Sequence, residues 1–290
     1  MNPLLSDLLE LLELERLEDN LFRGSSRDIG TRQVFGGQVL GQALTAASRT
    51  VEDRVVHSLH AYFLRAGDIE APIVYDVDRA RDGRSFTNRR VVAIQHGRPI
   101  LNMAASFQVP ESGLEHQDEM PEVPRPGELE SKTLHDSKAL KLLPAKVRRF
   151  AMEQRPIDFR PVRPFDLIHE GKLPPRSQVW IRTIDRLPDG DDDLHRCLLA
   201  YISDYYLLTT ATLPHGLSFF DKHLQLTSLD HAMWFHRPVR VDEWLLYDTD
   251  SPSASAGRGF ARGRIFAENG SLVATTAQEG VVRLWPEERA

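Results

Sequence analysis

The hydrophobic pattern of the chain shows one order of elements twice. Residues 35–50 carry apolar side chains at helical spacing and predict an amphipathic helix. Extended apolar runs separated by Asp82-Gly83 and His96-Gly97 then predict strands over 55–65, 72–81, 86–95 and 100–109. The second half predicts a helix over 194–212, then strands over 224–236, 243–250, 258–267 and 272–284, with Asn269-Gly270 as a hairpin turn.

A faint internal repeat accompanies this pattern. Phe63 and Arg65 match Phe235 and Arg237, 172 positions apart, and VYD at 74–76 matches LYD at 246–248. Ile100-Leu101 falls on Leu272-Val273 at the same offset. Several matches at one offset indicate a duplicated domain of ordinary size.

The two halves predict an α+β fold with two curved antiparallel sheets side by side, each wrapping a central helix. The intervening segment is rich in Pro, Glu and Lys, which is typical of a surface linker. We therefore divide the chain into a first domain at 1–112, a linker at 113–150 and a second domain at 151–290. A helix is expected near residues 138–150 of the linker.

Composition narrows the classes of function. The net charge of −6 argues against a general nucleic-acid binder, so a site for an acidic ligand has to be a local basic patch. Cys197 is the single cysteine, which excludes an intrachain disulfide and fits a reducing compartment. The first twenty residues are too acidic for a signal peptide, and no apolar run approaches bilayer length. The expected location is the cytoplasm, without membrane insertion.

One acidic residue stands out in the second half. Asp204 is the only charged residue between Cys197 and Pro214, in a segment that is apolar nearly all round. Such a helix should be buried, and a lone buried carboxylate is costly unless it is hydrogen-bonded or useful. The residues alone leave a catalytic Asp204 and a structural one, bonded to backbone or to a tyrosine, equally open.

Other chemistry finds little support. His57 and His60 lie three apart on one predicted strand and should face opposite sides. No His, Cys and Asp spacing resembles a zinc site, and neither a Gly-x-Ser-x-Gly elbow nor a Gly-rich nucleotide loop is present. The sequence therefore predicts no metal and no cofactor, and most histidines are expected to be structural.

Several motifs together resemble the acyl-CoA thioesterase II family, whose fold is the double hotdog. They are QVFGGQ at 33–38, HSLHAYFLR at 57–65, DGRSF at 82–86, LDHAMWFHRP at 229–238 and QEG at 278–280. The likeness extends from about residue 12 to 284. It implies hydrolysis of medium- or long-chain fatty acyl-CoA to free acid and coenzyme A, by an enzyme that commonly forms homo-oligomers.

The resemblance also implies the site residues. The family uses an Asp on the second helix, a Thr or Ser on the following strand and a Gln on the last strand, which fall on Asp204, Ser228 and Gln278. Alternation along a strand would give Ser228 the same face as Asp230, and a register slip would put Thr227 in its place. Gln278 could instead be a ladder partner, although an amide that donates and accepts suits the orientation of a water.

Coenzyme A carries phosphates, so cationic side chains are expected at its site. The candidates are His57, which could line a vestigial site in the first half, and arginines on the paired hairpins: Arg84, Arg89, Arg90, Arg258, Arg262 and Arg264. Surface charge explains each arginine equally well. Two rival functions remain. One is a hotdog enoyl-CoA hydratase or dehydratase, whose chemistry in related folds needs a His near the Asp on the same helix, and no His lies between His195 and His215. The other is a non-catalytic acyl-CoA-binding protein.

Overall fold

A computed structural model describes residues 1–30, 33–129, 148, 155–163, 171–219 and 221–286. The helix expected near residues 138–150 falls outside these residues, apart from position 148. The proposed linker and the domain boundaries stay predictions. No helix of the described part is long and apolar enough to cross a membrane.

Three α-helices are present in the described residues: α1 (Pro3–Leu12), α2 (Gly36–Ser48) and α3 (Asp192–Ser203). Short 3-10 helices cover Pro126–Glu128 and Leu208–His215. The central helices α2 and α3 are apolar and buried on nearly every face. They pack antiparallel, because Gly37 lies against the carbonyl of Tyr201 and Gly41 against that of Cys197.

The described strands form one antiparallel sheet around these helices. The strands of the first half are β1 (Glu15–Glu18), β2 (Leu21–Gly24), β3 (Val55–Phe63), β4 (Ile73–Asp82), β5 (Phe86–Gln95) and β6 (Arg98–Gln108). Those of the second half are β7 (Ile157–Pro161), β8 (Arg176–Thr183), β9 (Leu224–Ser228), β10 (Asp230–Phe235), β11 (Leu245–Ser255), β12 (Arg258–Ala267) and β13 (Leu272–Leu284). The order is β1-β2-β4-β5-β6-β3-β10-β13-β12-β11-β8-β7, with β9 also paired to β13.

The two halves join where β3 pairs with β10. His60 lies opposite Ala232, and these positions are 172 apart, so the repeat has an approximate twofold axis at this pair. Each half therefore contributes one helix and one curved half of the sheet. This is the predicted α+β double hotdog, with the refinement that its two sheets are hydrogen-bonded into one.

Two predicted elements end earlier than expected. The helix predicted over 194–212 stops at Ser203, and Tyr206 adopts a left-handed φ of 63° that no α-helix continues through. The strand predicted over 224–236 breaks at Leu229, between β9 and β10. The prediction that Ser228 and Asp230 share a face is therefore wrong. Ser228 contacts the buried Gln278, whereas Asp230 accepts the backbone N–H of Glu279.

The hairpin turn before the last strand has one residue more in the second half, because Gln95 pairs with Arg98 whereas Ala267 bonds Ser271. The N–H groups of Leu64 and Arg65 donate to Ile100, and those of His236 and Arg237 donate to Val273. Ile100 thus corresponds to Val273, at an offset of 173, and not to Leu272. The same register makes Ala105 the counterpart of Gln278, since Ala105 pairs with Arg89 and Gln278 with Ala261.

Candidate active site

Asp204 lies at the contact between the two central helices. It is the C-cap residue of α3, and only 6% of its side-chain surface is exposed. Its carboxylate accepts the backbone N–H of Gly37, in the first turn of α2. A Cβ at Gly36 would lie 2.7 Å from Asp204 Oδ2, so the carboxylate needs a glycine there to come this close.

The electrostatics of Asp204 reflect this position. Burial raises the pKa of Asp204, while the hydrogen bonds from Gln278 and from the backbone of Gly37 lower it. The negative, C-terminal end of α3 disfavours the ionised carboxylate, whereas the positive, N-terminal end of α2 favours it. Asp204 is thus hydrogen-bonded to backbone, as expected if it has a structural role.

Gln278 connects the residues implied by the resemblance. Its side chain on β13 is fully buried, and Nε2 lies 2.7 Å from Asp204 Oδ1 and 3.1 Å from Ser228 Oγ. Gln278 is therefore more than a ladder residue. Its Oε1 is buried and has no hydrogen-bond partner among the described residues. Buried acceptors are nearly always satisfied, so this oxygen is suited to bind a water or a substrate group.

The choice between Ser228 and Thr227 is clear from the geometry. Ser228 ends β9 opposite Gly280, half-buried, with its hydroxyl at Gln278. Thr227 is exposed and makes no hydrogen bond to Asp204 or Gln278. The structure thus brings Asp204, Ser228 and Gln278 together and leaves Thr227 outside.

His231 also belongs to this cluster, and sequence reasoning missed it. Its ring is fully buried, with Nδ1 3.3 Å from Gln278 Nε2 and Nε2 3.0 Å from Ser203 Oγ. Nδ1 is 3.9 Å from Asp204 Oδ1, but this is not an ion pair, because burial lowers the pKa of His231 to about 3. The sequence could have indicated His231 only through its position three residues after Ser228. On an unbroken strand these two residues would face opposite sides, so the position becomes informative only once the break at Leu229 is known.

The candidate coenzyme A residues divide between two ends of the molecule. The N–H of Phe63, the last residue of β3, donates to Leu229 beside Ser228. Measured along the strands from the level of Phe63, Arg89 on β5 is roughly 13 Å away, His57 roughly 20 Å and Arg84, on the hairpin at the far end, roughly 26 Å or more. Arg258 opens β12, opposite Val281 near the end of β13, and so lies at the Asp204 end.

The partners of these residues also differ. Arg89 is 3% exposed and is fully engaged by Thr50, Asp82 and nearby carbonyl groups, which leaves its guanidinium little capacity for a phosphate. Arg84 is exposed and bonds none of the described residues. Arg258 is half-exposed and pairs with Glu279.

The remaining candidates make local contacts. His57 bonds Ser106, and a bulge between Val56 and Ser58 puts it on the outer face, where the exposed His60 also lies, so the prediction of opposite faces is wrong. The hairpin arginines Arg90, Arg262 and Arg264 each pair with a neighbouring aspartate.

The first half does not repeat the site. The counterpart of Ser228 is Val56, that of Gln278 is Ala105, and the C-cap of α2 is Arg49 where α3 has Asp204. The described residues include no group of three or more His, Cys, Asp or Glu side chains that could hold a metal ion.

Comparison with known proteins identifies the family of both halves. Residues 23–108 match the acyl-CoA thioesterase N-terminal domain, and residues 149–281 match the acyl-CoA thioesterase domain. The chain is 43% identical to acyl-CoA thioesterase 2 of Haemophilus influenzae, over 98% of this chain and 99% of that protein.

Solved structures give the same result. An acyl-CoA thioesterase II from Mycobacterium marinum is 44% identical, with a TM-score of 0.78 over 96% of this chain and 98% of that one. A hot dog protein of unknown function from Alicyclobacillus acidocaldarius has a TM-score of 0.75 over 96% of this chain and 98% of that one, at 18% identity, which supports the fold alone. With similarity at this level over nearly its whole length, the chain belongs to the acyl-CoA thioesterase II family.

Proposed function

We propose that this chain hydrolyses the thioester of medium- or long-chain fatty acyl-CoA with a water held by Asp204, Ser228 and Gln278. Family membership carries the thioesterase activity. The observation that supports the choice of residues is the buried amide of Gln278, which joins Asp204 and Ser228 within hydrogen-bond distance.

The chemistry follows from the donors and acceptors present. The water oxygen attacks the thioester carbonyl carbon while Asp204 takes a proton from the water. The C–S bond then breaks, the sulfur leaves as the thiolate of coenzyme A, and the proton on Asp204 is returned to the products. Burial raises the pKa of Asp204, which makes it a better proton acceptor than an ordinary aspartate.

The three side chains have complementary parts in holding the water. Ser228 can donate or accept with its hydroxyl, and Gln278 Oε1 is a buried acceptor without another partner among the described residues. Asp204 is restrained by Gly37 and Gln278, so its carboxylate is oriented before the substrate arrives.

The rival lyase function is disfavoured by the state of His231, the one histidine near Asp204 among the described residues. Hydratase chemistry needs an acid and a histidine that both reach the substrate. Both nitrogens of His231 are hydrogen-bonded inside the protein, and its ring is fully buried. His231 is therefore unavailable for proton transfer to an enoyl or hydroxyacyl group.

We also propose a contact for the coenzyme A phosphates, a cellular location and an oligomeric state. Arg258 is the arginine among the candidates that lies at the Asp204 end, so we assign it the first test as a phosphate contact. His57, Arg84 and Arg89 would reach coenzyme A only if the nucleotide extended to the other end of β3. A cytoplasmic location and assembly into a homodimer or homotetramer remain predictions.

A product assay tests the proposed function. Purified protein is incubated with acyl-CoA of increasing chain length, with and without a chelator, and free thiol and released acid are measured together. We expect equal amounts of thiol and acid, no effect of the chelator, and a maximum at medium or long chains. A hydrated or dehydrated thioester with no free thiol would indicate the lyase, and an unchanged ligand would indicate a binding protein.

A further inference from the structure

The amide nitrogen of Gln278 is surrounded by more hydrogen-bond acceptors than it has hydrogens to donate. Nε2 lies 2.7 Å from Asp204 Oδ1, 3.1 Å from Ser228 Oγ and 3.3 Å from His231 Nδ1, while an amide nitrogen carries two hydrogens. Asp204 accepts the first at the shortest distance. Either Ser228 or His231 accepts the second hydrogen. If His231 accepts it, the Ser228 hydroxyl is free to form another hydrogen bond.

The protonation of His231 follows from its neighbours. The hydroxyl of Ser203 donates to the carbonyl of Ala200 at 2.9 Å, so towards His231 its oxygen can only accept. His231 Nε2 therefore carries the hydrogen, and Nδ1 is a lone-pair acceptor facing the Gln278 amide. The carbonyl of Ser203 is itself held by Tyr247, which fixes the end of α3 from which this chain of bonds starts.

We propose that His231 is a positioning residue of the thioesterase site, which holds the Gln278 amide with its nitrogen towards Asp204 and its oxygen free for the reacting water. This inference rests on the proposed function. By accepting the second amide hydrogen, His231 leaves the Ser228 hydroxyl free to bond the water. His231 acts through Gln278 and does not touch the substrate.

The need for such a residue arises during the reaction. An ionised Asp204 enforces the amide orientation, because a carboxylate can only accept hydrogen bonds. Once Asp204 has taken the proton of the water, it can donate, and the amide could rotate to present its oxygen to the carboxyl group. His231 Nδ1 stays an acceptor throughout, since burial lowers the pKa of His231 to about 3. It therefore preserves the orientation at the step where Asp204 cannot.

Two matched substitutions separate the two nitrogens of the ring. In His231→Asn the side-chain oxygen takes the place of Nδ1 and still accepts from Gln278, but the bond to Ser203 is lost. In His231→Gln the amide takes the place of Nε2 and reaches Ser203, but the acceptor for Gln278 is lost. We expect His231→Gln to lower kcat by about 10- to 100-fold with KM within about twofold. His231→Asn should stay within about fivefold of the parent protein.

A double-mutant cycle tests whether His231 acts through Gln278. Gln278→Met keeps the side-chain volume and removes the amide. In the Gln278→Met background, His231→Gln should cause no further loss of kcat, because the group it positions is gone. Ser203→Ala provides a second route if His231→Gln does not fold: without an acceptor for Nε2–H, the imidazole can carry its hydrogen on Nδ1 instead and no longer accept from Gln278, a change that Asn cannot make. The resulting loss of kcat should likewise vanish in Gln278→Met.

The outcomes separate the inference from the proposed function. If Gln278→Met lowers kcat but the His231→Gln loss has the same size in both backgrounds, the positioning role is refuted and the proposed function stands. Equal losses for Asn and Gln at position 231, in step with lowered melting temperatures, would also refute it. If Gln278→Met keeps full turnover, the proposed use of Gln278 fails and the inference fails with it.

Discussion

At the scale of single residues, the site depends on how one carboxylate is buried. Asp204 ends α3, where a negative charge is unfavourable for its own helix, yet it lies at the N-terminal end of α2 and accepts the N–H of Gly37. Its isolation in an apolar segment could be seen in the sequence. Its partners could not, because Gly37, Ser228, His231 and Gln278 approach it only through the pairing of distant elements.

Substitutions at Ser228 test the hydroxyl. Ser228→Thr should keep most of the turnover, because the hydroxyl remains at Gln278. Ser228→Ala should lower kcat by about 10- to 1000-fold, the range for a positioned polar contact. Thr227→Val is the matched control, since Thr227 is exposed, and should have no effect on kcat. Equal losses for Thr and Ala at position 228 would show that shape is required there and the hydroxyl is not.

The buried His231 makes a prediction about stability and pH. Its pKa is lowered from 6.5 to about 3 in the folded state, so the unfolded chain takes up a proton below pH 6.5 that the folded protein does not. Its contribution to stability is intact above that pH. Acidification then lowers the free energy of unfolding by about 1.4 kcal/mol per pH unit, down to the folded pKa.

Urea unfolding of the parent protein and His231→Asn, at about pH 7.5 and about pH 5, measures this contribution. The parent protein should lose about 2 kcal/mol more than the variant between these conditions. A parallel loss in both proteins would mean that His231 is protonated in the folded state, contrary to the hydrogen bonds assigned to it.

At the scale of elements, the contact between α2 and α3 builds the site. Gly37 and Gly41 face backbone carbonyls of α3, which lets the helices approach closely enough for the end of α3 to meet the start of α2. The sequence predicted both central helices and most long strands, because their apolar residues recur with the period of the element, but it did not predict α1. It missed β1, whose residues are all exposed, and other short strands without a clear alternation.

Two alanine substitutions test this helix contact. A Cβ at Gly37 would collide with the carbonyl of Tyr201 and the ring of Phe35, whereas one at Gly41 would meet Cys197 O at 3.1 Å. Gly37→Ala should therefore lower the free energy of unfolding by about 1–3 kcal/mol. It should also reduce kcat, because the N–H that holds Asp204 moves. Gly41→Ala should be milder in both respects, and the reverse order would contradict the account.

At the scale of the whole molecule, one duplicated unit carries one site. The repeat was visible in the sequence at an offset of 172, but the extra residue in the turn before β13 became visible only from the register of β6 and β13. That register shows Val56 and Ala105 at the places of Ser228 and Gln278, and α2 ends at Arg49 where α3 ends at Asp204. The positions of Arg84 and Arg258 at opposite ends of the molecule also follow from the strand order. The β4–β5 hairpin, which carries Arg84, and the β11–β12 hairpin, which carries Arg258, lie at opposite ends of the paired strands β3 and β10.

The turnover number of Asp204→Asn, measured beside its melting temperature, tests the central claim most directly. Asn keeps the shape of Asp204 but cannot take a proton from the water, so kcat should fall by about 100-fold or more with a small change in KM. The melting temperature should change by only a few degrees, because removal of a buried charge offsets the weaker bond to Gly37. A destabilised variant with normal turnover per folded molecule would make Asp204 structural and contradict the mechanism.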